Sequence, residues 1–318
     1  MFRRLIVALG AAVMLAGCEK SAPIPAPKST PAIGTPTAKL KVVVVPKGTT
    51  HEFWRSVHAG AVKAARELDV EMTFRGPERE DDREKQVALM ENLIGARVDA
   101  IVLAPLDESA LVSPVKRARE AKIPVVIIDS GLKAEAGADF VSFVATDNRK
   151  GGEMAGRTMA ELVGGKGKVL LLRYAEGSAS TTEREAGFLS AIGESKGVAV
   201  IDPKRYAGAT RATAQESAEN LLSAHSDIAG VFCPNESSTF GMMLALRSRG
   251  LAGKVKFVAF DASEVLLEGL RKGEIDALVV QSPLRMGYLG VKTAVEHLRG
   301  VKVQARVDTG VRVVARDQ

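Results

Sequence analysis

Ile123-Pro124-Val125-Val126-Ile127-Ile128-Asp129-Ser130 is a short, mostly β-branched run with no polar residue inside it and an abrupt polar stop at its end. A strand solvated on one face alternates apolar and polar side chains. A run that is apolar throughout fits a strand covered on both faces, as in a parallel sheet flanked by helices. Working outward, the pattern repeats. Besides 125–128, strands are predicted over 40–45, 70–74, 100–104, 140–145, 168–172, 198–201, 230–233, 256–260, 277–280 and 311–314. Between them, segments 53–68, 82–96, 109–121, 150–163, 183–195, 211–224, 238–249, 265–271 and 283–299 space their apolar residues at helical period. Strands alternating with helices build parallel sheets.

That many strands overfill one twisted sheet. The expected architecture is therefore α/β, with two similar doubly wound parallel-sheet lobes joined by a multi-strand hinge. A break near Thr146-Asp147-Asn148, and a last helix and strand that follow Gln281, give a first lobe of 40–147 plus 282–308 and a second of 148–281 plus 309–318. Lobes joined by several crossings can close on a ligand like a clamp.

The first residues carry a different message. Arg3-Arg4, an uncharged apolar run from Leu5 to Ala16, and Leu15-Ala16-Gly17-Cys18 make a signal peptide over 1–17 that is too short to span a bilayer. The ending resembles a bacterial lipobox, which implies lipidation of Cys18; the alternative is an ordinary cleavage nearby with Cys18 incidental. Residues 18–39, with Pro23, Pro25, Pro27, Pro31 and Pro36, cannot bury a core and are expected to form an extended stalk. The expected location is the periplasm or cell surface, with the chain lipid-anchored to a membrane. Loss of Arg3 and Arg4 with the signal takes the formal charge from +6 to +4, and basic and acidic residues are interspersed. With few aromatic residues for stacking, nucleic-acid binding is unsupported. Cys233, in the apolar run Gly230-Val231-Phe232-Cys233, reads as a small buried thiol.

Ligands of open parallel sheets sit beyond the carboxyl ends of the strands. Polar residues recur there: His51-Glu52-Phe53-Trp54 after the first strand, Asp129-Ser130 after the fourth, Arg184 after the sixth, Pro234-Asn235-Glu236 after the eighth, Asp261 after the ninth and Gln281 after the tenth. Carboxylates and amides grip adjacent hydroxyls, and a guanidinium supplies fixed donors. Aromatic faces suit the C–H faces of a sugar ring, which points to Phe53 and Trp54, with Tyr206 a weaker candidate. Each residue also has a plainer reading: Asp129, Asn235 or Asp261 as a helix cap, Arg184 as a surface ion pair, Phe53 and Trp54 as core.

From Lys41 to Val314 the chain resembles periplasmic sugar-binding proteins of the ribose-binding type, which share their fold with the core of the lac repressor. The resemblance rests on Phe53-Trp54, Ile123 to Asp129, Ala145-Thr146-Asp147-Asn148 with Gly151-Gly152, Glu183-Arg184-Glu185-Ala186-Gly187-Phe188, Val231 to Asn235, Val258-Ala259-Phe260-Asp261, and Gln281 ahead of Gly287. It implies ligand contacts at Phe53, Trp54, Asp129, Arg184, Asn235, Asp261 and Gln281. It also implies a monomer that delivers a sugar or polyol to an ABC-type permease, without a cofactor. The family pattern has Asn-Pro where this chain has His51-Glu52, an arginine where it has Ser130, and an asparagine near Ala104. His51, Glu52 and Ser130 are therefore further candidate contacts, and ribose itself is not the expected ligand.

Enzymatic readings find little support. Gly164-Gly165-Lys166-Gly167-Lys168 follows a helix and lacks the Ser or Thr of a phosphate loop, so it reads as a turn. Pro46-Lys47-Gly48-Thr49 stands where a dinucleotide fingerprint would be, and the four histidines form no ligand pair. Asp129 and Asp261 could act as a glycosidase pair, but the resemblance places them among hydroxyl-gripping groups. A sensory receptor signalling to a chemoreceptor or histidine kinase is the alternative to import.

Overall fold

The computed structural model describes residues 38–316, so the signal peptide, Cys18 and nearly all of the stalk lie outside the described residues. The elements run β1 (Lys41–Val45), α1 (Glu52–Glu67), β2 (Glu71–Phe74), α2 (Arg83–Gly95), β3 (Ala100–Leu103), α3 (Val112–Glu120), β4 (Val125–Ile128) and β5 (Ser142–Ala145). They continue with α4 (Asn148–Leu162), β6 (Lys166–Leu171), α5 (Ala179–Ile192), β7 (Gly197–Ile201), α6 (Arg211–Ala224), β8 (Gly230–Cys233), α7 (Glu236–Ser248) and β9 (Lys256–Phe260). The chain finishes with α8 (Glu264–Arg271), β10 (Ala277–Gln281), α9 (Pro283–Leu298), β11 (Arg306–Asp308) and β12 (Val311–Ala315).

Two six-stranded sheets form, ordered β11-β5-β4-β3-β1-β2 and β12-β10-β9-β8-β6-β7. The first is parallel throughout; in the second only β12 runs antiparallel, against β10. The orders match strand for strand, so β4 corresponds to β9 and β5 to β10. Both faces of each sheet are covered, as the apolar runs require. Val42 and Val44 point into one core with Trp54, Val57 and Met286, whereas Val43 and Val45 point into another with Leu89, Leu111 and Ile127.

The chain passes between the sheets three times, after β5, after β10 and after β11. Each crossing helix packs on the helix that follows the first strand, in chain order, of its new sheet, α9 on α1 and α4 on α5. Glycine permits the close approach. A Cβ at Gly287 would lie 1.9 Å from the Val57 carbonyl oxygen, and one at Gly152 would lie 1.9 Å from the Arg184 carbonyl oxygen. The second contact fixes the height of Arg184 against the cleft.

Three local differences from the sequence expectation matter. β11 escapes the hydrophobic pattern because Arg306-Val307-Asp308 has no apolar run; its pairing with β5 defines it. α5 starts at Ala179, four residues before the expected 183, which puts Arg184 inside the helix rather than at the end of a loop. α7 also begins early, at Glu236, behind an Asn235 cap reinforced by Ser238.

Candidate functional site

The carboxyl ends of both sheets face one narrow cavity of about 30 Å³, room for about two water molecules as the side chains stand. His51, Phe53, Trp54, Asp129, Arg184, Asn235, Asp261 and Gln281 all line it, as do Lys47, Glu80, Tyr174, Ser180, Thr181 and Glu236.

Asp129 and Asp261 leave their strands with left-handed backbones, φ 63° and 72°. Asp is among the few side chains that tolerate this conformation. Neither caps the helix that follows. Asp261 instead accepts the first amide of α7, Glu236 N–H, at 2.9 Å and Gln281 Nε2 at 2.7 Å. Burial raises its pKa to about 6, against the opposing charge of Arg184 and the Gln281 bond. Gln281 also accepts Thr146 Oγ1 at 2.8 Å, so the end of β10 and the end of β5 are tied where the chain crosses between lobes.

Lys47 is 3% exposed. Its Nζ lies 3.3 Å from Asp129 Oδ2 and donates to Ser178 and Ser180 Oγ at 3.2 and 3.1 Å. A cation thus stands beside Asp129, supplied by the loop after β1 rather than by the residue that follows it, Ser130. Arg184 is 2% exposed and donates to Asn148 Oδ1 and the Pro234 carbonyl at 2.8 and 2.9 Å. Its guanidinium sits 4.3 Å from the centre of the Phe260 ring. Burial lowers its pKa, opposed by Asp261, Asp129 and Glu80.

The Phe53 and Trp54 rings meet edge to face at 4.9 Å. Trp54 is both core and cavity wall, and its Nε1 donates to Glu80 Oε1 at 2.6 Å. His51 caps α1 without using its ring on the backbone, which leaves Nδ1 2.7 Å from Glu80 Oε1. Burial works to lower the His51 pKa, but the bond and charge of Glu80 outweigh it and raise the value. Burial likewise works to raise Glu80, yet the bond and charge of His51, the Lys47 charge and the Trp54 bond bring it down to about 2.

Three sequence candidates fall outside the cavity lining. Glu52 Oε2 accepts the Glu264 amide at 3.1 Å and so links the start of α1 to that of α8. Ser130 is 1% exposed, and its Oγ accepts the Ser180 amide at 3.1 Å. Tyr206 is 44% exposed, because the chain after β7 turns it to solvent. Among the cavity residues not foreseen, Lys47 and Glu236 adjoin strand ends that had been noted, whereas Glu80 hides in the charged run Glu78 to Glu84. No cluster able to hold a metal occurs among the described residues.

Residues 42–302 match a family described as periplasmic binding protein domain. The ribose import binding protein of Bacillus subtilis (strain 168) is 32% identical over 261 residues, 82% of each chain. Among solved structures, an ABC transporter solute binding protein from Agrobacterium vitis with bound D-fucose is 38% identical with a TM-score of 0.84, over 87% of this chain and 96% of that one. A carbohydrate transporter solute binding protein from Agrobacterium radiobacter in complex with D-arabinose is 33% identical with a TM-score of 0.83, over 88% and 96%.

Proposed function

The chain belongs to the periplasmic binding protein family, and from that premise we propose that it is an extracytoplasmic receptor that closes around an uncharged sugar or polyol and hands it to an ABC-type import permease. The observation that carries this is the cavity itself: carboxylates, amides, a guanidinium and two aromatic rings converge on it from the strand ends of both sheets. Charge matching supports a neutral ligand. Glu80 faces His51, Asp129 faces Lys47, and Glu236 Oε1 accepts Arg211 Nη2 at 2.8 Å. Arg184 and Asp261 bond only neutral groups but carry opposite charges in the same wall, so a charged ligand would meet one attractive and one repulsive group, and an unpaired buried charge is costly.

In this reading Phe53 and Trp54 cover the ring, Asp129, Asn235 and Asp261 accept hydroxyls or donate to them, and Arg184 and Gln281 fix orientation. Lobes of 40–147 plus 282–308 and 148–281 plus 309–318 close on the ligand, which biases the open–closed equilibrium by preferring the closed state. A signal peptide over 1–17 and a lipid on Cys18 would keep the receptor beside its permease, since a multiply acylated anchor holds a membrane durably.

The test is calorimetry of the purified chain against D-ribose, D-allose, D-fucose, D-arabinose and common polyols, with native mass spectrometry of freshly prepared protein for a retained ligand. A folded chain that retains nothing and binds none of them would sink the proposal.

A further inference from the structure

Glu80 is the one member of the run Glu78-Arg79-Glu80-Asp81-Asp82-Arg83-Glu84 whose side chain lines the cavity, with 8% of that side chain exposed. Three donors converge on its carboxylate. His51 Nδ1 and Trp54 Nε1 take Oε1 at 2.7 and 2.6 Å, both from the start of α1 in the first lobe. Tyr174 takes Oε2 through its hydroxyl at 2.8 Å, from the loop after β6 in the second lobe. An ionised carboxylate offers about four acceptor sites, so little of Glu80 is left for a ligand. Tyr174 is itself 2% exposed, and a buried phenol needs the partner that Glu80 supplies.

We propose that Glu80 is a positioning residue for ligand capture: it clamps the Trp54 ring into the cavity wall, and the clamp is completed by Tyr174 only when the lobes are closed. The inference rests on reading the cavity as an interlobe ligand cleft. Opening the lobes moves Tyr174 away and returns Oε2 to water. The carboxylate is then held through Oε1 alone, by His51 and Trp54, so its broad terminal torsion is less fixed and its bond to the indole N–H is looser. Closure restores a charge-assisted bond across the lobes and stiffens the Trp54 ring in one step. A sugar stacked on Trp54 would favour closure through that bond without touching the second lobe's tyrosine. Its capture and the interlobe bond are thus coupled through a single side chain.

The chain has one tryptophan, so the uniformly 15N-labelled full chain gives one indole resonance. Glu80→Gln, measured without ligand, is expected to shift that resonance and speed its exchange with water. Tyr174→Phe removes only the hydroxyl. It is expected to raise the dissociation rate of D-fucose, D-ribose, D-allose or D-arabinose, whichever the wild-type chain binds, by about tenfold to a hundredfold, the range for losing a hydrogen bond to a charged group, with association little changed. Wild-type dissociation from Tyr174→Phe, or an unmoved indole in Glu80→Gln, would overturn the proposal. If the wild-type chain binds none of the four sugars, the ligand assignment fails by itself and the ligand-free indole comparison still decides on the clamp. Should Glu80→Gln fail to fold, Glu80→Asp, whose shorter side chain cannot reach the indole N–H, takes its place in the ligand-free comparison; a shifted indole is expected and an unmoved one would again overturn the proposal.

Discussion

Asp129 and Asp261 are counterparts in the two lobes: each follows a corresponding strand, β4 or β9, and each turns with positive φ. The amide of each bonds the carbonyl of the neighbouring strand, Val144 at 3.3 Å and Val279 at 2.9 Å. The repeated turn aims a carboxylate from each sheet at the same space. Their partners differ, with Lys47 beside Asp129 and the α7 amide and Gln281 on Asp261, so the two are expected to respond differently to mutation.

Replacing Asp261 by Ala should weaken sugar binding by about 2–3 kcal/mol, since hydroxyl bonds to a charged group are lost and Arg184 keeps no nearby counter-charge on that side. Titration calorimetry of Asp261→Ala against the wild-type ligand checks this; equal affinity would remove Asp261 from the site.

Asp261 also sets a pH dependence. Its carboxyl, at about 6 in the ligand-free chain against an ordinary 3.8, is raised by folding. Its stabilising contribution is therefore complete below about pH 4 and lost as pH rises through 6, on the order of 3 kcal/mol in all. Binding has the opposite sign, because ligand hydroxyls donate to the ionised form and pull the value down. Affinity should hold above about pH 6.5 and fall roughly tenfold by pH 5. Asp261→Asn should flatten both profiles while losing affinity, since its amide can accept only one of the two N–H donors that Asp261 holds.

Lys47→Met should cost about 3–5 kcal/mol of stability, because Asp129 would remain buried without its cation. Chemical denaturation of the single variant and of Lys47→Met with Asp129→Asn measures it. The double variant should recover part of the loss, and strict additivity would show that the pair is not coupled.

Gly152→Ala would set a methyl 1.9 Å from a backbone oxygen of Arg184, so α4 and α5 must part. A loss of about 1–3 kcal/mol is expected, together with weaker sugar binding as Arg184 shifts. Gly95→Ala is the control: nothing lies within 4 Å of its Cβ, it ends α2 in the open, and it should be neutral or stabilising by up to about 1 kcal/mol.

The two-sheet architecture was legible because strands covered on both faces cannot hide: Val125 to Ile128 or Phe257 to Phe260 fit no other environment. The residues just beyond them were legible for the same reason, and Phe53, Asp129, Asn235, Asp261 and Gln281 all reach the cavity. Glu80 was not, since its surroundings in sequence are those of a solvated loop. What buries it comes from His51, Trp54 and Tyr174, about 30 and 90 residues away, and no local pattern encodes such a meeting. Tyr206 also satisfies the local rule, as an aromatic residue near a strand end, yet the turn after β7 leaves it 44% exposed and outside the cavity lining.

The crossing helices have a consequence for how the chain comes into being. The first sheet receives its covering helix α9 and its edge strand β11 only from residues 283–308, after all the helices of the second half. Until those residues have left the ribosome, the glycine-bearing face of α1 lacks the surface it is shaped for and β5 is an open edge. A chain cut after α8 would therefore be left with two unfinished halves, the first without α9 and β11 and the second without β10 and β12. Maturation of the two halves is in effect simultaneous, which lengthens the interval in which the polypeptide can be held by a chaperone.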